Sequence, residues 1–468
     1  MRYVLACVLI WAMASAAVAE QWTTRKEEGY RGIWYYNQKT DTEYRYKYSG
    51  GLGTYCAKHI PMAVYAPEVD KTFFVFGGTT GPKERNLLEM VSFYDHKTGT
   101  VPMPTRLMDK KTSDAHDNPV LSIDDNGHLW VFASAHGTSR PAYIFRSANP
   151  FDIDSWELVS EFNYSYPQPW CLPGKGFLFL QTHYSPERGL YWMTSERGYE
   201  WTGKKKLAYI HRGHYQVSWP NGDTVGTAFN YHPKAFNGDE KRSGLNWRTN
   251  LYYVQTADSG ASWTNAAGKR MEPPITQRNN PALVRDYESE GLLCYMKDLK
   301  YDPEGNPVIL HVTSKSWEPG PDFGPRTWTI AHWTGDEWTF SEVAPSDNNY
   351  DTGALFIEED VWRVIGPTQT GPQPFNPGGE MAVWASTDGG KTWDLDQLLT
   401  ENSPYNHTYA RAPLHAHPQF CAFWADGHGR QPSDSRLYFY DSMRRTVFRL
   451  PYEMEKPVAE PEAVHTGP

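Results

Sequence analysis

Ser386-Thr387-Asp388-Gly389-Gly390-Lys391-Thr392-Trp393 has the form Ser/Thr-x-Asp-x-Gly-x-x-Trp. Its chemistry is that of a tight hairpin turn. The Asp caps the backbone, a Gly supplies positive φ, and the Trp wedges against a neighbouring sheet. Thr256 to Trp263 repeats the pattern, and Thr194 to Trp201 keeps the frame with Glu196 in place of Asp. Degenerate copies end at Trp156 and Trp338. Trp156, Trp201 and Trp263 are spaced by 45 and 62 residues, the length of one propeller blade with insertions. The expectation is an all-β chain forming a single β-propeller of six to eight blades, with seven the best fit to its length. These turns are read as structural, so substrate contact is sought elsewhere.

Composition agrees. Aromatic residues make up 15% of the 468-residue chain, with 38 Gly and 35 Pro, which suits many short strands and turns. Met1 to Ala19 reads as a signal peptide, with Arg2, an apolar run and the small-residue site Ala17-Val18-Ala19. The run is too short to span a bilayer. Residues 20–454 are expected to form the propeller and 455–468 a loose tail, in a protein secreted or exported to the periplasm, with no membrane insertion. A formal net charge of -10 argues against a nucleic-acid partner. An anionic substrate would then need a local basic patch, for which Lys204-Lys205-Lys206 with Arg197, Arg212 and Arg248 are candidates.

Two polar clusters stand out. Ser113-Asp114-Ala115-His116-Asp117-Asn118-Pro119 leads into one strand of a hairpin whose other strand ends at Ala135-His136-Gly137. Both ends lie on one side of a sheet, so His116 and His136 are expected to be neighbours. Two such imidazoles could bind a metal or act as a base and its helper. The second cluster is Asn230-Tyr231-His232-Pro233 and, beyond a polar loop from Lys234 to Trp247, Arg248-Thr249-Asn250-Leu251-Tyr252-Tyr253. A loop of that length and composition suggests function. His183-Tyr184 is read as structural.

The histidine hairpin, Asn-Tyr-His-Pro with Arg-Thr-Asn-Leu-Tyr-Tyr, and Gly29-Tyr30-Arg31-Gly32-Ile33-Trp34 together resemble the β-propeller ulvan lyases, within the wider group of Asp-box (BNR) repeat proteins. The resemblance runs from about Gly29 to Tyr440. It implies a seven-bladed lyase that cleaves a sulfated polysaccharide beside a uronic acid by β-elimination. It further implies His116 and Tyr231 as the proton-transfer pair, His136 beside them, Arg248 on the uronate, and His311 as a weaker candidate near the carboxylate; His232 and Arg197 are further candidates for substrate contact. The chemistry asks for such residues independently. The C5 proton is weakly acidic until a guanidinium neutralises the carboxylate, a base near neutrality removes it, and the leaving O4 needs a proton.

Near the C-terminus, His415, His417, Cys421 and His428 offer three imidazoles and a thiol, the donor set of a closed structural zinc site. The same family resemblance implies a structural zinc. Cys56, Cys171 and Cys294 are far apart and show no disulfide framework. Two other function classes share the repeats: a sialidase-like glycoside hydrolase, which needs acidic residues at its site, and a carbohydrate-binding propeller without activity.

Overall fold

The strands of the computed structural model, which describes residues 24–81, 85–211 and 213–464, fall into seven successive antiparallel blades. Blade 1 occupies 63–109, blade 2 119–162, blade 3 165–208, blade 4 216–285, blade 5 293–346, blade 6 354–398 and blade 7 406–449. The first strands of neighbouring blades pack against one another around a common axis. The expected signal peptide, residues 1–19, lies outside the described residues. No described helix is long and apolar enough to cross a membrane.

Inner strands read as nearly unbroken apolar runs because each blade is covered on both faces by its neighbours. Leu129–Ala133, sequence LWVFA, is buried at every position. Between blades 2 and 3, Trp201 fills a seam against Phe132, Phe177 and Phe179 at ring separations of 5.5–6.1 Å. The buried Phe132, Phe177 and Phe179 each contribute about 1.5–3 kcal/mol, and the partly buried Trp201 covers them.

The ring is closed by both chain ends. Gly32 N–H donates to Ser435 O and Tyr30 N–H to Pro451 O, both at 2.9 Å, tying the N-terminal segment to blade 7. The C-terminal stretch is not loose as expected. Glu462–Val464 adds a strand to Thr446–Arg449, and Val458–Ala459 pairs with Val101–Pro102 of blade 1. Unpaired strand edges are satisfied by continuing the chain across the seam. A hairpin of Trp34–Lys39 and Tyr46–Gly51 then lies over one end of the axis.

Antiparallel order separates structure from function. In each blade the turns after the first and third strands lie at one end, and the second-to-third and blade-to-blade connections at the other. The two full Asp-box turns and the Glu196 variant all follow a third strand. In the turn at Asp388, Oδ1 accepts from the N–H groups of Lys391 and Thr392 at 3.0 Å, and Ser386 Oγ accepts from Gly390 N–H at 2.9 Å. The degenerate turn at Trp156 keeps the ring tether, Nε1–H donating to Ile153 O at 2.9 Å, as Trp393 does to Gly390 O at 3.1 Å. These boxes therefore sit at the end away from the histidine hairpin.

Gly260 shows how tightly a box is fitted. Its φ is +82°, and a Cβ there would lie 2.3 Å from Trp192 Nε1 of the previous blade. Trp192 in turn packs edge-on against Trp263 at 5.4 Å. Gly268 also has positive φ, +74°, with open space around it. Gly260→Ala should cost roughly 2–4 kcal/mol, from backbone strain plus the collision, against about 1 kcal/mol for Gly268→Ala. Thermal melts of the two variants check this; equal losses would mean the box glycine is not a packing constraint.

Candidate active site at the axial mouth

A cavity of about 170 Å³ opens at the end of the axis that carries the second-to-third and blade-to-blade connections. His116 precedes the first strand of blade 2, and His136 follows its second strand. Tyr184 and Arg188 sit in the corresponding connection of blade 3 and Arg248 in that of blade 4. Tyr215 and Tyr350 precede the first strands of blades 4 and 6.

The histidine hairpin folds as the sequence suggests. The rings of His116 and His136 stack at 3.9 Å with 13° between planes. Both Nδ1 atoms meet one carboxylate: His116 at 2.5 Å from Asp114 Oδ1, His136 at 2.8 Å from Oδ2. Asp114 also caps the short turn Ala115–Asp117 by accepting from His116 N–H at 3.1 Å. Arg140 grips Asp117 through two bonds of 2.9 and 2.7 Å and reaches Asp114 at 3.2 Å. Burial pushes the His116 imidazole down to about 4 although Asp114 pulls the other way. The ring is thus neutral near pH 7, with Nδ1–H donating to Asp114. Its Nε2 is left as an acceptor, facing the Tyr48 and Tyr55 hydroxyls at 2.9 and 2.8 Å. An acceptor nitrogen oriented by a carboxylate is the arrangement of a general base.

Asp114, His116 and His136 form the one group of three potential metal ligands among the described residues. Their donor atoms are committed to one another, and Lys47, Lys58, Arg188, Arg248 and Lys297 all line the same cavity. That charge environment disfavours a divalent cation. It favours an anion. No Asp or Glu is among the described residues lining the cavity.

Aromatic rings offset part of this charge. Tyr215 lies between two guanidiniums, with Arg188 and Arg248 each 4.4 Å from its ring centre. Burial alone would raise its hydroxyl, but Arg188 and then Arg248 bring it down to about 6. Burial, reinforced by Arg248, lowers Lys47 to about 7. Lys58 falls to about 8, again chiefly by burial. The two arginines differ in their commitments. Arg248 donates from Nε to Leu245 O at 3.0 Å and from Nη2 to Tyr350 OH at 3.4 Å. Arg188 has no hydrogen-bond partner at Nε or Nη2, and the Tyr184 hydroxyl has none either.

Several expected site residues fall elsewhere. Tyr231 is buried outside the cavity, its hydroxyl bonded to Glu288 Oε2. It lies on the second strand of blade 4, one strand spacing out from the axis, where a register shift after Phe229 turns it away. Tyr184 and Tyr215, from other connections, line the cavity instead. His232 sits behind Tyr215, ring centres 5.2 Å apart, and does not line the cavity. His311 is wholly buried in blade 5, with Nε2 2.6 Å from Tyr287 OH; burial lowers it to about 3. Arg197 is exposed in an Asp-box turn at the opposite end. Lys204 bonds Asn163 O, Lys206 pairs with Glu187 at 2.8 Å, and Arg212 lies outside the described residues. The local cationic patch exists and includes Arg248 as expected, but its other members are Lys47, Lys58, Arg188 and Lys297.

The zinc set does not assemble. His417 stacks on His96 at 3.9 Å, while Cys421 is buried with Sγ 3.4 Å from Tyr440 O. His428 accepts from Arg430 N–H at 3.0 Å beside Tyr405, and His415 joins neither. Burial raises the Cys421 thiol to about 12, opposite to what a thiolate ligand needs. Among the described residues Cys56, Cys171, Cys294 and Cys421 are all free, as the absence of a disulfide framework suggests.

Sequence reading missed Tyr184, Arg188 and Tyr215. Tyr215 and His116 share a usable signal: each is a titratable ring just before the first strand of a blade.

A model of the BNR repeat-containing family matches residues 89–345. An ulvan lyase of Nonlabens ulvanivorans is 25% identical over 79% of this chain and 84% of its own length. A PL25 ulvan lyase of Pseudoalteromonas sp. (strain PLSV) is 21% identical over 72% of this chain and 76% of its own. Among solved structures, a PL25 ulvan lyase bound to -[GlcA(1-4)Rha3S]- superimposes with a TM-score of 0.68 at 15% identity, covering 89% of this chain and 96% of the other.

The depressed Tyr215 gives a direct check. Ultraviolet difference titration should show one tyrosine ionising near pH 6, phenolate above and phenol below, with the signal lost in Tyr215→Phe. A wild-type curve with no ionisation below pH 9 would contradict the placement of Tyr215 between the two arginines.

Proposed function

The chain belongs to the BNR repeat-containing family, and from that premise we propose that it is a polysaccharide lyase that cleaves ulvan by β-elimination. The relatives named above, which cover most of both chains, support the substrate class. One observation carries the chemistry: the Nε and Nη2 donors of Arg188 are unpartnered in a cationic cavity lined by no carboxylate. Those two donors form the edge of a guanidinium that grips a carboxylate in parallel. A sialidase-like hydrolase needs acidic residues in the cavity itself. A binding module has no use for a neutral, carboxylate-oriented histidine beside a free tyrosine hydroxyl.

In this reading the uronate carboxylate docks on Arg188, with Arg248 and Lys47 adding positive field. His116 Nε2 removes the C5 proton as charge moves onto the neutralised carboxylate. The Tyr184 hydroxyl, which burial keeps protonated, gives its proton to O4 as the C4–O4 bond breaks. The product is an unsaturated uronyl end and a free hydroxyl end. Solvent then carries a proton from His116 back to Tyr184. The protein is secreted or periplasmic in this scheme, since its polymeric anionic substrate lies outside the cell.

His116→Ala and Tyr184→Phe should each lower kcat roughly 10²–10⁴-fold with the fold intact, read by the ultraviolet absorbance of the unsaturated product. Arg188→Gln should lower kcat more than it raises KM, because its bond strengthens in the transition state. Tyr231→Phe should stay near wild type. A collapse in Tyr231→Phe with activity retained in Tyr184→Phe would reverse the assignment of the acid.

The pH profile offers a separate test. Lys47 and Lys58 are charged below about pH 7 and 8 and neutral above. The kcat/KM of the free enzyme should therefore fall as pH rises through 7 and then 8. Lys47→Gln should flatten the first step. Identical alkaline limbs in wild type and variant would remove Lys47 from substrate attraction.

A further inference from the structure

A second cavity, of about 370 Å³, lies at the same end of the propeller but over the seam between blades 6 and 7. It is larger than the catalytic cavity and none of its residues enters the chemistry above. Its rim is the blade-to-blade segment 400–405, and its floor lies at the top of blade 7, where Asp426 and Tyr438 are both buried.

The charges facing it are few and unequal in their commitments. Arg449 is paired with Glu462 at 2.5 Å. Asp426 accepts from Tyr438 OH at 2.8 Å and from Arg436 N–H at 2.6 Å, using one lone pair of each oxygen. Glu401 is exposed at the rim. His407 is neutral near pH 7: burial lowers it to about 4, its Nδ1 accepts from Trp424, and its Nε2 faces Ser403 Oγ at 3.0 Å. The Arg436 guanidinium has no ion pair or hydrogen bond. It lies over the Tyr452 ring, 5.3 Å from the centroid, and its charge also acts on Asp426 in the cavity floor. The half-buried Tyr405 adds a ring edge at the rim. An acceptor carboxylate, hydroxyl groups, an aromatic ring and one uncommitted guanidinium together suit a sugar bearing an acidic substituent.

The cavity is also connected to the catalytic one by a wall of direct contacts. Asn37, Gln38 and Lys47 of the axial hairpin line the catalytic cavity. Trp34 of the same hairpin donates to His428 O at 2.8 Å, and the His428 ring lies 5.9 Å from that of Tyr405. Arg430 on this wall spends its donors on Asn376 and Pro374.

We propose that the cavity over blades 6 and 7 is an outlying subsite for a second acidic sugar of the polysaccharide being cleaved, with Arg436 receiving its anionic group and Asp426 a ring hydroxyl. The anionic group is an oxyanion, carboxylate or sulfate, which the guanidinium accepts alike. This inference rests on the lyase reading of the axial cavity.

The test compares Arg436→Gln and Tyr405→Ala with wild type on polymer and on the shortest cleavable oligosaccharide. Both variants leave the catalytic cavity untouched, and matching thermal melts confirm their folding. The expected result is a rise in KM of about tenfold on polymer, unchanged kcat, and no change on the short substrate. Calorimetric binding of polymer from which sulfate or the uronate carboxyl has been chemically removed then identifies the group: one of them should show no difference in affinity between wild type and Arg436→Gln. Unchanged KM on polymer in both variants, or an equal rise on short and long substrates, would overturn the subsite. Loss of cleavage in wild type on every uronate polymer would instead overturn the lyase reading. In that event calorimetry of ulvan binding to wild type and Arg436→Gln still decides the cavity: equal affinity sinks it and weaker binding by the variant sustains it.

Discussion

Positive charge gathered in a buried cavity without a carboxylate to balance it is the constraint on which the active end of this protein turns. Lys47, Lys58, Arg188, Arg248 and Lys297 come from five separate segments and meet at one mouth. Stripping cations of water is costly, and it is offset here by aromatic faces and hydroxyls rather than by acids. Tyr215, Tyr295 and Tyr350 surround Arg248, and Tyr184 and Tyr215 surround Arg188. The offset is incomplete. The low Lys47 and Tyr215 values both belong to this setting: burial, with Arg248 adding to it, favours the neutral Lys47, while Arg188 and Arg248 overcome burial to favour the Tyr215 anion. A substrate carboxylate completes the set.

The propeller makes this concentration possible. Seven blades each deliver a connection to one axial mouth, so side chains distant in sequence converge without any blade deforming. The opposite end carries the Asp-box turns, where backbone capping and Trp wedges hold the seams. Closure by both chain termini, with the C-terminal stretch paired to blade 1, removes the weakest seam of the ring.

The histidine hairpin was legible in the sequence because its geometry is local. Twenty residues that form one hairpin bring their ends together whatever surrounds them, and Asp114 sits within two residues of the ring it orients. The tyrosine of the same site was not legible. Asn-Tyr-His-Pro and Arg-Thr-Asn-Leu-Tyr-Tyr mark a long loop, and Arg248 does line the cavity. Which tyrosine joins it depends on strand order from the axis and on a register shift after Phe229, and neither leaves a trace in residue spacing. The zinc reading failed for a related reason: His415, His417, Cys421 and His428 are near in sequence but diverge onto different sides of blade 7 and its turns.

What the sequence by itself determined is the repeat: the Asp-box turns and the all-β composition follow from residues whose partners lie in the same turn or the next blade, while the chain length bounded the blades at six to eight, with seven the best fit. It also determined one half of the site, the Asp114–His116–His136 group. What only the tertiary structure decided is which charges share one volume. Arg188, Tyr184 and Tyr215 are ordinary surface-like residues in sequence, and their meaning arises from a ring closure that sets residues from different blades face to face in low dielectric. Electrostatic consequence scales with distance and burial, and a linear chain specifies neither until the ring is closed.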